Sequence, residues 1–168
     1  CTAYGFTRAH GARVAGFLTM KGACHVTGPA LAAADVPGYF LIGAADAPYR
    51  EENITAVFEA GRAAGAPWAV SIDPFDHRPM LDFDLMFEWI DAVLAARLPA
   101  TVGAPLRAMA ETDGWLGNRS TGAIATYACY GSPRSDASWL PTEQTALEWQ
   151  RMRGGSVVVS ACWGGPSR

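Results

Sequence analysis

Apolar and polar positions follow two recognisable periods over roughly the first hundred residues. Residues 2–10 read as a short helix, with Gly11 placed to end it as a C-terminal glycine. Val14 to Met20 is a nearly continuous apolar run closed by Lys21-Gly22, the character of a strand buried on both faces. Tyr39-Phe40-Leu41-Ile42-Gly43 predicts a second strand and Trp68-Ala69-Val70-Ser71-Ile72 a third. Between them, residues 50–64 predict a helix with Ile54, Val57, Phe58 and Gly61 on one face. Glu51 and Glu52 stand at its start and Arg62 at its end, the polarity that the helix dipole favours. Residues 82–98 predict a last helix, with Asp82 as N-cap, Pro99 as its stop and Trp89 on the outward side. Its apolar stripe is Phe83, Met86, Phe87, Ile90, Val93, Leu94 and Leu98. Strand, helix and strand joined by short connections form a βαβ unit, so strands 39–43 and 68–72 should run parallel. The expected class is α/β, with parallel strands flanked by helices over residues 1–98. Residues 99–168 lose this periodicity and read as an irregular, Gly- and Trp-rich extension that packs on the first part.

Composition narrows the function classes. The chain of 168 residues has room for one domain-sized core, and with 50% apolar and 17% charged residues it is not disordered. The net charge of −3 and the scattered basic residues, all arginine except Lys21, argue against nucleic acid as a partner. No apolar run reaches the roughly 18 residues of a membrane-spanning helix, so no membrane partner is expected. Cys1, Cys24, Cys129 and Cys162 form no C-x-x-C pair, so zinc or redox chemistry has little support. They read as buried or free thiols, or as one or two disulfides of an exported protein.

Parallel strands end on one edge of their sheet, and in open α/β sheets chemistry gathers at the carboxyl edge. Asp46 follows Ile42 by four residues and His77 follows Ile72 by five, so both belong to loops on that edge. A carboxylate that accepts a hydrogen bond from imidazole fixes its tautomer and stabilises imidazolium as it forms, the requirement for a histidine general base.

The segments "ARVAGFLTMKG", "PGYFLIGAADAPY", "AGRAAGAPWAVSIDPFDH" and "DFDLMFEWIDAVLAARLP" resemble the carboxyl-terminal half of an α/β-hydrolase. The nearest branch is similar to polyhydroxybutyrate-depolymerase-like and feruloyl-esterase-like hydrolases. "GWLGN" and "SWLPTEQTALEW" resemble an appendix that some bacterial members carry. The resemblance implies that Asp46, in Gly43-Ala44-Ala45-Asp46, is the acid and His77 the histidine of a Ser-Asp-His triad. It further implies that the serine, in G-x-S-x-G, lies a few residues upstream of Cys1. The chain is then expected to be a fragment, inactive by itself, that leaves a sheet edge for missing strands. The implied substrate is a small-molecule or polymeric ester, with no metal or organic cofactor, and a secreted or periplasmic location fits the branch.

Plainer readings stand beside this one. Asp46 also suits a cap for the helix after Pro48, and His77 an ordinary surface histidine. His10 reads as exposed, and His25 as structural or solvated, with a place along the same edge. Cys1 at the start invites an N-terminal nucleophile, although a chain that is part of a longer protein explains it more simply. Ser160-Ala161-Cys162-Trp163-Gly164-Gly165 follows a strand-like run and resembles the cysteine elbow of dienelactone-hydrolase-type enzymes, but it comes after the acid and has no helix behind it. Asn53-Ile54-Thr55 and Asn118-Arg119-Ser120 are sequons without further support as glycan sites. Trp115 and Trp139 suit either stacking on a ligand or wedging the extension against the body. A non-catalytic binding module on a hydrolase scaffold is the alternative from a different functional class.

Overall fold

The computed structural model describes residues 2–23, 33–78 and 84–153. Strands β1 (Phe17–Met20), β2 (Gly38–Gly43) and β3 (Trp68–Asp73) form one sheet in that order, and both pairings are parallel. Alternation along the strands sorts the side chains. Phe40, Ile42 and Val70 face helices α1 (Thr2–His10) and α2 (Pro48–Ala63), meeting Tyr4, Ile54 and Phe58. Tyr39, Leu41 and Ala69 face α3 (Asp84–Arg97), meeting Leu85, Met86, Trp89 and Val93. Because both faces are covered, all six residues of β2 are buried. The mixed α/β class and the parallel pairing match expectation.

Some details differ. Gly11 does not stop the chain in a left-handed turn; it opens a single 3-10 turn, Gly11–Arg13, and β1 starts only at Phe17. Helix α2 begins two residues earlier than the apolar pattern indicates, at Pro48, whose missing N–H suits a first turn. Trp89 points inward and is 1% exposed, its ring meeting Tyr39 edge-on at 5.6 Å. The buried residues of α3 are Leu85, Met86, Trp89, Val93 and Arg97, so Met86 and Val93 of the expected stripe face inward, whereas Phe87 and Leu98 are exposed. Asp82 and Phe83 lie outside the described residues.

Among the described residues after Pro99, the stretch 115–152 is not irregular. Strands β4 (Trp115–Asn118), β5 (Ile124–Thr126) and β6 (Ala137–Leu140) form an antiparallel sheet in the order β5-β4-β6, followed by helix α4 (Glu143–Met152). Its strands of three or four residues are too short to display a period. The glycines that read as loop are seats for indole rings: a Cβ on Gly117 would lie 2.4 Å from Trp149, and one on Gly114 2.3 Å from Trp139. Trp139 is fully buried and donates its Nε1–H to the Glu111 carbonyl at 2.9 Å, so it wedges and does not stack on a ligand. Thr142 caps α4 by accepting the Thr145 N–H.

This second layer is tied to the first. Ile124, Leu140, Ala146 and Trp149 share one apolar core with Tyr39, Leu41 and Trp89. The Ser138 hydroxyl accepts the Val70 N–H and donates to the Val70 carbonyl, each at 3.0 Å, and Trp149 Nε1 donates to the same carbonyl at 2.8 Å. Arg62, in α2, donates to the carbonyls of Ala137 and Arg134 and pairs with Glu111 at 2.5 Å. Cys129 is disulfide-bonded, so the thiol reading fails for that cysteine. Cys1, Cys24 and Cys162, with the elbow-like segment around the last, lie outside the described residues.

Gly61 tests whether packing overrides propensity. It sits inside α2, where alanine is intrinsically the better helix former by about 1 kcal/mol. A Cβ there would lie 1.9 Å from the fully buried ring of Trp68. Gly61→Ala is therefore expected to destabilise the protein by about 1–3 kcal/mol, read as a lower urea midpoint at unchanged slope.

Candidate active site

The carboxyl edge of the parallel sheet brings two loops close together. The one after β2 turns at once, Asp46 N–H donating to the Gly43 carbonyl at 3.0 Å, and α2 starts two residues later. The one after β3 leans across β2: Ala44 N–H donates to the Asp73 carbonyl at 2.8 Å and Ala45 N–H to the Phe75 carbonyl at 3.1 Å. Gly43 permits that approach, since a Cβ there would lie 2.6 Å from the carbonyl oxygens of both Phe75 and Asp76. The Gly-x-x-Asp spacing thus has a physical reason: the glycine gives the histidine loop room, and the aspartate emerges beside it.

The result is contact between the two residues singled out from spacing. His77 Nδ1 lies 3.0 Å from Asp46 Oδ2, although 31 residues separate them in the chain. The Asp46 side chain is 5% exposed and that of His77 54%. Asp46 Oδ1 accepts the Ala47 N–H at 2.7 Å and the Arg50 Nη1–H at 2.6 Å, which leaves Oδ2 to the imidazole. Desolvation raises the Asp46 carboxyl pKa, but the hydrogen bonds from Ala47, His77 and Arg50, together with the Arg50 charge, outweigh it and bring it down to about 2. The carboxylate is ionised at neutral pH and can only accept. In neutral imidazole the proton must then sit on Nδ1, and the Nε2 lone pair is left to take a proton from a neighbouring group. Asp46 also braces the start of α2 through Ala47 and Arg50, but the N-cap is Ala47 and no side chain caps the helix, so Asp46 is not its cap.

Arg50 and Ala47 were not among the expected site residues. The Asp46–Arg50 spacing, four apart at a helix start, is the signal that points to them. His10 is exposed on α1 beside Phe6, and His25 lies outside the described residues. Asn53 lies within α2, and Asn118 Oδ1 accepts the N–H groups of Ser120 and Thr121 at 2.9 Å. A cavity of about 310 Å³ at the outer side of β3, lined by Ile72, Glu59, Arg119 and Arg153, includes neither Asp46 nor His77. Among the described residues no group of three or more His, Cys, Asp or Glu side chains is placed to share a metal ion, and no helix is long and apolar enough to cross a membrane. No family model, no curated protein and no solved structure matches the chain.

Proposed function

We propose that this chain carries the acid and the histidine of a serine hydrolase acting on carboxylic esters, arranged as in the carboxyl-terminal half of an α/β-hydrolase. The observation that carries the reading is the Asp46–His77 hydrogen bond at the carboxyl edge of a parallel sheet. Asp46 orients His77 and stabilises the imidazolium that forms during turnover. His77 Nε2 takes the proton of a nucleophilic serine as it attacks the ester carbonyl, then returns it to the departing alkoxide. Water repeats the sequence on the acyl-enzyme. The nucleophile in this reading lies N-terminal to Cys1. The half-exposed His77 side chain supports access by an external group and by a substrate of small or polymeric form.

A fluorophosphonate probe tests the proposal on the intact protein. It is expected to attach covalently to one serine upstream of residue 1, located by peptide mass. His77→Gln is expected to slow labelling about 10²–10³-fold, because the serine loses its base. No labelling, or labelling at an unchanged rate in His77→Gln, overturns the hydrolase reading and favours a binding module. Labelling blocked by prior thiol alkylation overturns the serine in favour of a cysteine enzyme.

A further inference from the structure

The geometry points to Lys21, the chain's single lysine, as a positioning residue for His77; its catalytic meaning rests on the hydrolase reading above. Lys21 directly follows β1 with φ at 51°, in the left-handed region that residues other than glycine rarely enter. Its side chain is 2% exposed. Its Nζ lies 2.6 Å from Oδ2 of Asp73, itself 3% exposed, at the end of β3. A buried ion pair is weak support for stability, and left-handed backbone adds to the cost, so the two together mark a place that serves geometry.

The remaining contacts say which geometry. Lys21 Nζ donates to the Arg78 carbonyl at 2.8 Å, 57 residues away in the chain, and stands 5.7 Å from the centre of the Phe75 ring. Asp73 Oδ1 accepts the Phe75 N–H at 2.9 Å. The pair therefore grips the histidine loop on both sides: Asp73 holds Phe75 and Lys21 holds Arg78, with only Asp76 and His77 between. Asp46 stands on a different loop, bound to α2 and, through Ala45, to the Phe75 carbonyl, so its distance to His77 depends on how the 76–78 backbone beyond that bond is held. Functional constellations need placement within about 0.5 Å, which residues gripping neighbouring backbone can supply. Lys21 touches neither the reacting atoms nor His77 itself; it acts through the loop.

The double variant Lys21→Met/Asp73→Leu removes both charges together, leaves no buried charge unpaired, and is expected to fold with wild-type circular dichroism. In the wild-type protein the His77 Nδ1 proton is expected as a low-field NMR resonance, absent in His77→Gln and in Asp46→Asn. In the folded double variant that resonance is expected to disappear. The intact double variant is also expected to lose about tenfold or more in kcat on a nitrophenyl ester, with KM within about twofold. A purely structural ion pair would leave both readouts unchanged once the fold is kept, so an unaltered resonance and kcat overturn the inference. If the apolar pair does not fold, Lys21→Gln/Asp73→Asn carries the same test with polar shapes retained. A lost resonance in a protein whose wild type hydrolyses no ester upholds the positioning role and overturns only the hydrolase reading.

Discussion

His77→Ala is expected to lower kcat for a nitrophenyl ester about 10³–10⁴-fold on the intact protein, with the fold intact. The size follows from what the imidazole does. Without it the nucleophile keeps its proton at the moment of attack, and the leaving alkoxide departs without one. The fold is spared because the His77 side chain is half exposed and its hydrogen bond to Asp46 is exposed. Asp46→Asn is expected to cost a comparable factor for a different reason. An amide keeps the shape but loses the charge that stabilises imidazolium, and its NH₂ group can face Nδ1, which favours the tautomer with the proton on the wrong nitrogen. Stability is a useful contrast, since Asp46 also anchors the first turn of α2 through Ala47 and Arg50. Asp46→Asn should lower the melting temperature slightly, whereas His77→Ala should leave it in place. Initial rates and thermal melts on both variants check the pair, and near-normal rates in His77→Ala rule out the assignment.

Arg62→Ala is expected to be the most damaging single substitution for stability, costing about 3–5 kcal/mol, or about 10 °C in melting temperature. The Arg62 side chain has no exposed surface, and burial lowers its pKa against the raising effect of Glu111. It joins three parts of the chain, pairing with Glu111 and donating to the carbonyls of Ala66, Ala137 and Arg134. Removing it leaves a largely buried carboxylate without its cation and takes one donor from each of three carbonyls, of which those of Ala66 and Arg134 keep the backbone N–H groups of Trp68 and Ala137. The double variant Arg62→Met/Glu111→Leu separates the contributions. It removes the stranded charge but does not restore the lost donors, so it should recover only part of the loss. Limited proteolysis should then cut first between residues 99 and 136, where the second layer is no longer fastened to α2.

Much of the parallel layer was legible because its signals are local. The strands at 39–43 and 68–72 announce themselves by apolar runs bounded by Gly and Pro, and the α2 face by Ile54, Val57, Phe58 and Gly61. The meeting of Asp46 and His77 was legible for a topological reason: parallel strands share a rim, so a fixed offset past each strand is a spatial statement. What escaped depends on partners distant in the chain. Trp89 faces inward because Tyr39 is waiting there, which helical spacing on α3 alone does not encode. Strands β4 to β6 are set by rings of Trp139 and Trp149 over Gly114 and Gly117, and no window of ten residues contains both halves of either contact. Lys21 reads from sequence as a polar stop after an apolar run; only folding brings Asp73 and the Arg78 carbonyl to its ammonium.

The clasp of Ser138 on Val70 has a consequence for self-association. The rim of a sheet is a template on which another molecule's backbone can add, and an open one invites fibrous growth. Here a hydroxyl occupies both the donor and the acceptor at the middle of β3, with an indole doubling the latter. An incoming strand would find those two groups already engaged and four buried side chains of β6 in its way. Intermolecular extension is therefore blocked at the middle of that side by the Ser138 hydroxyl, the Trp149 indole and the cover of β6 together.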